Sequence, residues 1–259
     1  MKITTLIENT ALLPELTAEH GLSLYIETER HNILFDMGQT AAFAENAEKL
    51  GIDLGKVDIA ILSHGHYDHG GGLKTFLALN DHAPVYVSRH AFGAYYNGTE
   101  KYIGLDEALQ REPRIRLVGD ELRLDTGLTL YSCNERVPVE PLNAYGLNKR
   151  DGEGFLPDDF LHEQYLLIEE EGKRVLISGC SHKGIGNIAA WFKPDVLVGG
   201  FHFMKLTEEA ALIHAAEALL ANPTRYITGH CTGQEQYAVL KDRMGDRLDA
   251  LSTGKVIHL

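Results

Sequence analysis

Apolar and polar positions follow two rhythms along the chain, and together they predict strands interleaved with helices. The first eight residues read as a strand, and residues 22–27 and 32–35 are β-rich runs around a polar turn, a hairpin pattern. Residues 40–50 carry apolar positions near helical spacing and stop at Gly51, a C-terminal cap. Residues 57–62 form a short apolar strand that runs into a histidine-rich loop, and 71–79 look helical. Further strands are expected at 85–87, 128–131, 164–169, 175–178, 196–198 and 255–259. A helix is expected at 208–221, with Thr207 as N-cap and Asn222-Pro223 as its stop, and a last helix at 234–244.

Two stretches follow neither rhythm. Residues 91–116 set Tyr95, Tyr96 and Tyr102 among glycines and charges, and residues 134–162 are rich in proline and glycine. Long irregular segments of this kind are often lids or binding loops.

The rhythm also repeats. Ile26-Glu27 followed by Ile33-Leu34-Phe35 matches Ile168-Glu169 followed by Val175-Leu176-Ile177 at a constant offset of 142. Val57-Asp58-Ile59-Ala60-Ile61 resembles Pro194-Asp195-Val196-Leu197-Val198 at an offset of 137. Each half reads hairpin, helix, strand, then a histidine-bearing loop. This predicts one domain over 1–259 built from two similar halves, about 1–125 and 126–259. Two such sheets are expected to pack face to face with helices outside, and their strand-end sites to converge at the seam.

Composition narrows the function classes. The chain has 259 residues, 44% hydrophobic and 24% charged, as in ordinary globular proteins. Its 24 basic and 37 acidic residues give a formal net charge of -13, with no basic run to offset it. That disfavours a nucleic-acid groove or an anionic membrane surface and leaves a small-molecule substrate as the expected partner. No apolar run approaches the roughly 18 residues of a membrane helix. Cys133, Cys180 and Cys231 are odd in number and imply no disulfide framework, so a reducing cytoplasm is expected. Nothing in the sequence marks an oligomeric state.

The chemistry concentrates in His64-Gly65-His66-Tyr67-Asp68-His69. Imidazole and carboxylate suit borderline divalent metals, and two histidines at i and i+2 in an extended loop can reach one ion. Asp68 and His69 lie further along the turn and can face a neighbouring site. Gly65, Gly70, Gly71 and Gly72 would relieve the backbone constraints of so tight a turn.

Ser63-His64-Gly65-His66-Tyr67-Asp68-His69-Gly70-Gly71-Gly72 resembles the His-x-His-x-Asp-His signature of the metallo-β-lactamase fold superfamily. Gly21-Leu22-Ser23-Leu24, Ile33 to Gly38, Ser178-Gly179-Cys180-Ser181-His182, Gly199-Gly200-Phe201-His202 and Gly229-His230-Cys231-Thr232-Gly233 resemble one branch of it. That branch is named for an archaeal 7,8-dihydropterin-6-methyl-4-(β-ribofuranosyl)aminobenzene 5′-phosphate synthase. The resemblance implies an α/β fold, a four-layer αβ/βα sandwich of two similar halves. It also implies His64 and His66 on a first ion, and Asp68, His69 and His230 on a second. The chain departs from the common pattern in ending a central strand with Gly179-Cys180 rather than Gly-Asp, and it lacks a His-x-Pro-Gly segment. His182 is then the main candidate for the first ion's third ligand, with His162 and a Cys180 thiolate as alternatives.

These readings together predict a metallohydrolase of a small ester, lactone or phosphoester, using a metal-bound hydroxide. Zn²⁺ is expected, one or two ions, with Fe or Mn as alternatives. Asp68 would orient the hydroxide, and His202 would stabilise the oxyanion or act as general acid. The competing readings are a pterin-related condensing enzyme, a single-iron oxidative enzyme and a non-catalytic small-ligand binder. Asp36 would suit an acceptor for a ligand histidine's N–H or a turn-stabilising role. Lys149 and Arg150 could hold an anionic group, as could the N–H groups of Gly184 to Asn187. His20 has no metal spacing and is expected as a surface or core residue.

Overall fold

The computed structural model describes all 259 residues. They form a mixed α/β fold with two seven-stranded sheets and one four-stranded sheet. The chain divides into two compact units. Unit one comprises Met1–Gly119, Gly146–Gln164 and Ser252–Leu259, and unit two comprises Asp120–Tyr145 and Tyr165–Leu251.

In unit one the large sheet runs Val256–His258, Lys2–Ile7, Ser23–Glu27, Asn32–Phe35, Ile59–Ile61, Val85–Ser88 and Ile115–Val118. The first four strands are antiparallel, and from Asn32–Phe35 onward the pairing is parallel. Ile59-Ala60-Ile61 is buried throughout, as a parallel strand covered on both faces requires. Phe43 and Ala47 of the helix Ala42–Lys49 pack on Leu34, Ala60 and Val85, together with Leu73 and Phe76 of Leu73–Leu79. Gly51 stops the first of these helices in the left-handed conformation, at φ 72°.

In unit two the order is Glu121–Asp125, Leu128–Tyr131, Tyr165–Glu170, Lys173–Ile177, Val196–Val198, Arg225–Thr228 and Leu248–Ala250. Here too four antiparallel strands lead into a parallel set. The helices Ile185–Phe192, Glu209–Leu220 and Gln234–Met244 supply Ile188, Ala216 and Leu240 to its core, against Leu176, Leu197 and Tyr226. The sequence repeat is therefore a repeat of topology. Ile26 opposes Ile33 as Ile168 opposes Val175, and Ile33 neighbours Ile59 as Val175 neighbours Val196.

The two arrhythmic stretches are not long loops. Tyr95–Asn97 and Lys101–Tyr102 from one pair with Leu147–Asp151 and Gly154–Pro157 from the other, making the four-stranded sheet of unit one. These strands are two to five residues long and mostly exposed, so neither period develops. The edge strand Glu121–Asp125 was hidden likewise by its charges. Thr207 does not cap its helix; Glu208 holds the N-cap position, with no side-chain capping bond.

Candidate metal centre

Both units place their reactive side chains beyond the carboxyl ends of parallel strands, where open α/β sheets commonly bind ligands. In unit one, Asn32–Phe35 ends at Asp36 and Ile59–Ile61 leads to His64 and His66. Asp36, Ser63, His64, His66 and His69 are all buried. His66 precedes a one-turn helix, Tyr67–Gly70, that carries Asp68 and His69. The loop is pinned at three backbone positions. Leu22 N–H donates to the Asp68 carbonyl at 3.3 Å, Met37 N–H to that of His69 at 2.7 Å, and Tyr67 N–H to that of Ile103 at 2.9 Å.

The loop glycines do not serve the purpose expected of them. None of Gly65, Gly70, Gly71 and Gly72 has a positive φ. They permit close approach instead: a Cβ on Gly65 would lie 2.1 Å from the Ala91 carbonyl oxygen.

One carboxylate organises two of the histidines. Asp36 Oδ2 accepts from His69 Nδ1–H at 2.6 Å and from the Ser63 hydroxyl at 2.7 Å, while Asp36 Oδ1 accepts from Ser63 N–H at 2.7 Å. With its proton given to Asp36, Ser63 Oγ accepts from His64 Nδ1–H at 2.8 Å. Both Nδ1 atoms thus carry protons, and the Nε2 lone pairs of His64 and His69 are set for coordination. Asp36 takes this post in the left-handed region, at φ 59°.

His66 is neutral for another reason. Burial pushes its imidazole down to about 3, helped by neighbouring His162 and opposed by Asp68 and Asp158. It offers a lone pair, not a proton, at ordinary pH. His162 has both ring nitrogens engaged. Its Nδ1 accepts from Gly65 N–H at 2.9 Å, and its Nε2 faces Asp158 Oδ2 at 3.1 Å. It braces the loop in this geometry, and its ligand atom also lies within 4.8 Å of those of His66 and Asp158 in a buried group of metal-ligating type. Burial works against the Asp158 carboxylate, but the hydrogen bonds from His162 and from Phe160 N–H prevail and hold it below its ordinary range. Tyr95 stacks on His162 with centroids 4.0 Å apart, so this ring packs against the brace.

The metal-free protein therefore loses stability on acidification. Between the ordinary histidine value of 6.5 and about 3, the unfolded chain binds a proton at His66 that the native state refuses, so stability falls as pH falls. The depressed Asp158 adds a loss of the same sign at lower pH. The expected drop is on the order of a few kcal/mol. Urea unfolding at pH 7.0 and 4.5 checks it, and equal midpoints at the two pH values would refute it.

Two contributors carried no readable signal. Asp158 lies in an arrhythmic stretch, within 4 Å of His66 Nε2 at 3.9 Å. His20, expected at the surface or in the core, sets Nε2 3.4 Å from Asp68 Oδ2 while Asn9 Nδ2 donates to its Nδ1 at 3.3 Å. Lys149 pairs with Asp159, so its charge is already answered.

In unit two, Cys180 and His182 follow Lys173–Ile177, His202 follows Val196–Val198, and His230 and Cys231 follow Arg225–Thr228. Ser181, His202 and His230 hold positive φ values of 58°, 55° and 50°. Such outliers gather at functional sites, where surrounding structure sustains the strain. The His182 and His202 rings lie 4.4 Å apart, and both line a cavity of about 320 Å³ with Tyr145, Phe201 and Phe203. Burial opposes ionisation of the Cys231 thiol, yet the adjoining Cys180 and His202 and the charges of His230 and His202 keep it below its usual range. Glu140 occupies the start of the helix Ile185–Phe192: its Oε1 would lie 2.6 Å from a Cβ on Gly186. A carboxylate of the chain itself thus stands where an anion was expected.

Comparison with known proteins agrees with this construction. The family described as the metallo-beta-lactamase superfamily matches residues 16–230. A 7,8-dihydropterin-6-methyl-4-(β-D-ribofuranosyl)-aminobenzene-5′-phosphate synthase of Methanocaldococcus jannaschii is 30% identical, over 99% of this chain and 96% of that protein. The crystal structure of Tm1679, a metal-dependent hydrolase of the β-lactamase superfamily, superposes with a TM-score of 0.82 at 28% identity, covering 100% of this chain and 99% of the other. The metallo-β-lactamase fold protein YhfI of Bacillus subtilis shares the fold at 13% identity, with a TM-score of 0.62 over 99% of this chain and 98% of its own. With its His-x-His-x-Asp-His loop braced by Asp36, the chain belongs to the metallo-β-lactamase superfamily, on the branch of the dihydropterin-ribofuranosylaminobenzene phosphate synthase.

Proposed function

We propose that the chain is a metal-dependent hydrolase of a small organic ester, lactone or phosphoester. It would hold one or two zinc ions on His64, His66, Asp68 and His69, with His182 and His230 as the further ligands that superfamily membership points to. The observation that carries this reading is the Asp36 carboxylate, which fixes the His64 and His69 tautomers so that both Nε2 atoms are available. Carboxylate-oriented histidines are the usual support of a metal site.

When bound, zinc supplies Lewis acidity that acidifies water and polarises the bond under attack. The chain's own groups do the positioning. Asp68, approached by His20, is the carboxylate that would orient the attacking water. The net charge of -13 disfavours a polyanionic substrate, and a 320 Å³ cavity suits a small molecule.

The second reading is favoured by the archaeal relative: condensation of a dihydropterin with a ribofuranosylaminobenzene phosphate, with the same Lewis acid assisting departure of the leaving group. One experiment separates the two. Metal is counted in purified protein, then stripped and restored while phosphodiester, lactone and thioester turnover and the condensation are assayed. Zinc-dependent hydrolysis that is lost in His64→Ala is the expected result. Condensation without hydrolysis would favour the synthase, and turnover that survives complete metal removal would overturn both readings.

A further inference from the structure

We propose that the cavity of unit two recognises a flat aromatic ring that carries N–H donors, an aminated heterocycle, and that Glu140 is the acceptor that selects it. The inference rests on the reading that this cavity receives the substrate, and it names the class of that substrate. The cavity holds about 320 Å³, within the range of small-ligand pockets. One wall is aromatic: Tyr145, Phe201 and Phe203, the two phenylalanines edge to face with centroids 5.9 Å apart. Another is a face of the helix Glu209–Leu220, where Ala211, His214, Ala215 and Ala218 recur at helical spacing. Three of these four are alanines, whose short side chains leave the space in front of the aromatic wall open. A slot between small residues and aromatic rings favours a planar guest, which can stack on the rings.

Glu140 is exposed at the rim of this slot, but a buried side chain fixes its place. Val139 N–H and Glu140 N–H both donate to Asn187 Oδ1, at 2.7 and 2.9 Å. Asn187 Nδ2 donates in turn to the Glu140 carbonyl at 3.0 Å, and Asn187 has no exposure at all. The carboxylate therefore lies against the start of the helix Ile185–Phe192. Its Oε1 would stand 3.1 Å from a Cβ on Gly184 and 2.6 Å from one on Gly186, so only glycines leave it room.

This placement sets what the rim can accept. The helix dipole favours the charged carboxylate, which is an acceptor only. It has about four acceptor positions, so the helix end does not exhaust it. A ring with N–H donors gains charge-assisted hydrogen bonds there. A ring bearing its own carboxylate meets repulsion, because the helix start that would bind an anion already holds one. Burial and the Glu140 charge push the Tyr145 phenol above its ordinary value, so the aromatic wall stays uncharged. The selection is made by a side chain of unit two alone, and it does not require a metal ion.

The test uses the full chain, stripped of metal, and three probes of one shape: quinazoline, diaminoquinazoline and quinazoline carboxylate. Calorimetric titration should show the diamine binding at least about tenfold more tightly than the unsubstituted ring, and the carboxylate binding weakest. Glu140→Gln, which keeps the size of the side chain, should remove the preference for the diamine. Ala215→Leu narrows the slot and should weaken all three probes. Equal binding of the three would overturn the proposal, as would a preference that survives Glu140→Gln. Failure of every probe to bind at millimolar concentration would overturn it too. Because no metal is present, a negative titration leaves the hydrolysis assay intact, and absence of hydrolysis leaves the titration readable.

Discussion

Replacing Asp36 by alanine is expected to lower metal affinity by about 10- to 100-fold and to destabilise the metal-free protein by roughly 3–5 kcal/mol. The second figure follows from what is stranded. Ser63 N–H, the Ser63 hydroxyl and His69 Nδ1–H all lose their acceptor in a region with no exposure. Alanine also fits the φ of 59° less well than aspartate. Asp36→Asn separates support of the fold from support of the metal. Its carbonyl can still accept from Ser63 N–H, but its amide must now donate where Oδ2 accepted. Ser63 then accepts from the amide and donates to His64 Nδ1, and His69 Nδ1 becomes an acceptor. Both imidazoles move their proton to Nε2, the atom that should bind the ion. Asparagine should therefore spare much of the stability while depressing metal affinity nearly as far as alanine. Chelator competition and urea unfolding check the pair. Wild-type zinc affinity in Asp36→Asn would show that the tautomers are not set by this carboxylate.

Gly65→Ala should be the next most damaging change. The new Cβ would meet the Ala91 carbonyl oxygen at 2.1 Å and the Ala91 carbonyl carbon at 2.9 Å, both backbone atoms that cannot rotate aside. The loop must withdraw, stretching the Gly65 N–H to His162 bond and displacing His64 and His66 together. Overpacking of this kind costs about 1–3 kcal/mol, and metal affinity should fall by at least about tenfold. Gly51→Ala is the matching control. Its φ is 72°, but nothing lies within 4 Å of the added atom. It should cost only about 1–2 kcal/mol of backbone strain and leave metal affinity unchanged. A Gly65→Ala protein that binds zinc normally would show that the loop can yield without disturbing its ligands.

The parts of this molecule legible in sequence are those written by neighbours along the chain. The apolar run Ile59-Ala60-Ile61 and the histidine-rich turn after it are local, and both stand where expected as elements of the fold. The repeat was legible because paired strands must keep their register, so Ile26 and Ile168 retain equivalent partners. What stayed hidden is long-range. Asp158 reaches His66 across 92 positions, and His20 reaches Asp68 across 48. The contacts of His162 with Gly65 and Asp158 were hidden as well, because residue type alone does not reveal partners 97 positions away or the fold of the loop between. The tyrosine-rich sheet was missed because its strands are short and their partners lie about 50 positions away, as Tyr96 and Asn148 do.

Unit one is assembled from three separate lengths of chain, the last of them Ser252–Leu259. Its edge strand Val256–His258 pairs with Lys2–Ile7, so this pairing joins strands about 250 positions apart. Unit two needs only Asp120–Leu251 without the insert Gly146–Gln164 and can close its sheet earlier. Because long-range pairings are slow to form, the thiol-bearing unit should be ordered on a nascent chain before the histidine loop gains its full frame. Until then Lys2–Ile7 is an unpaired edge, and that interval is when the chain is most exposed to aggregation.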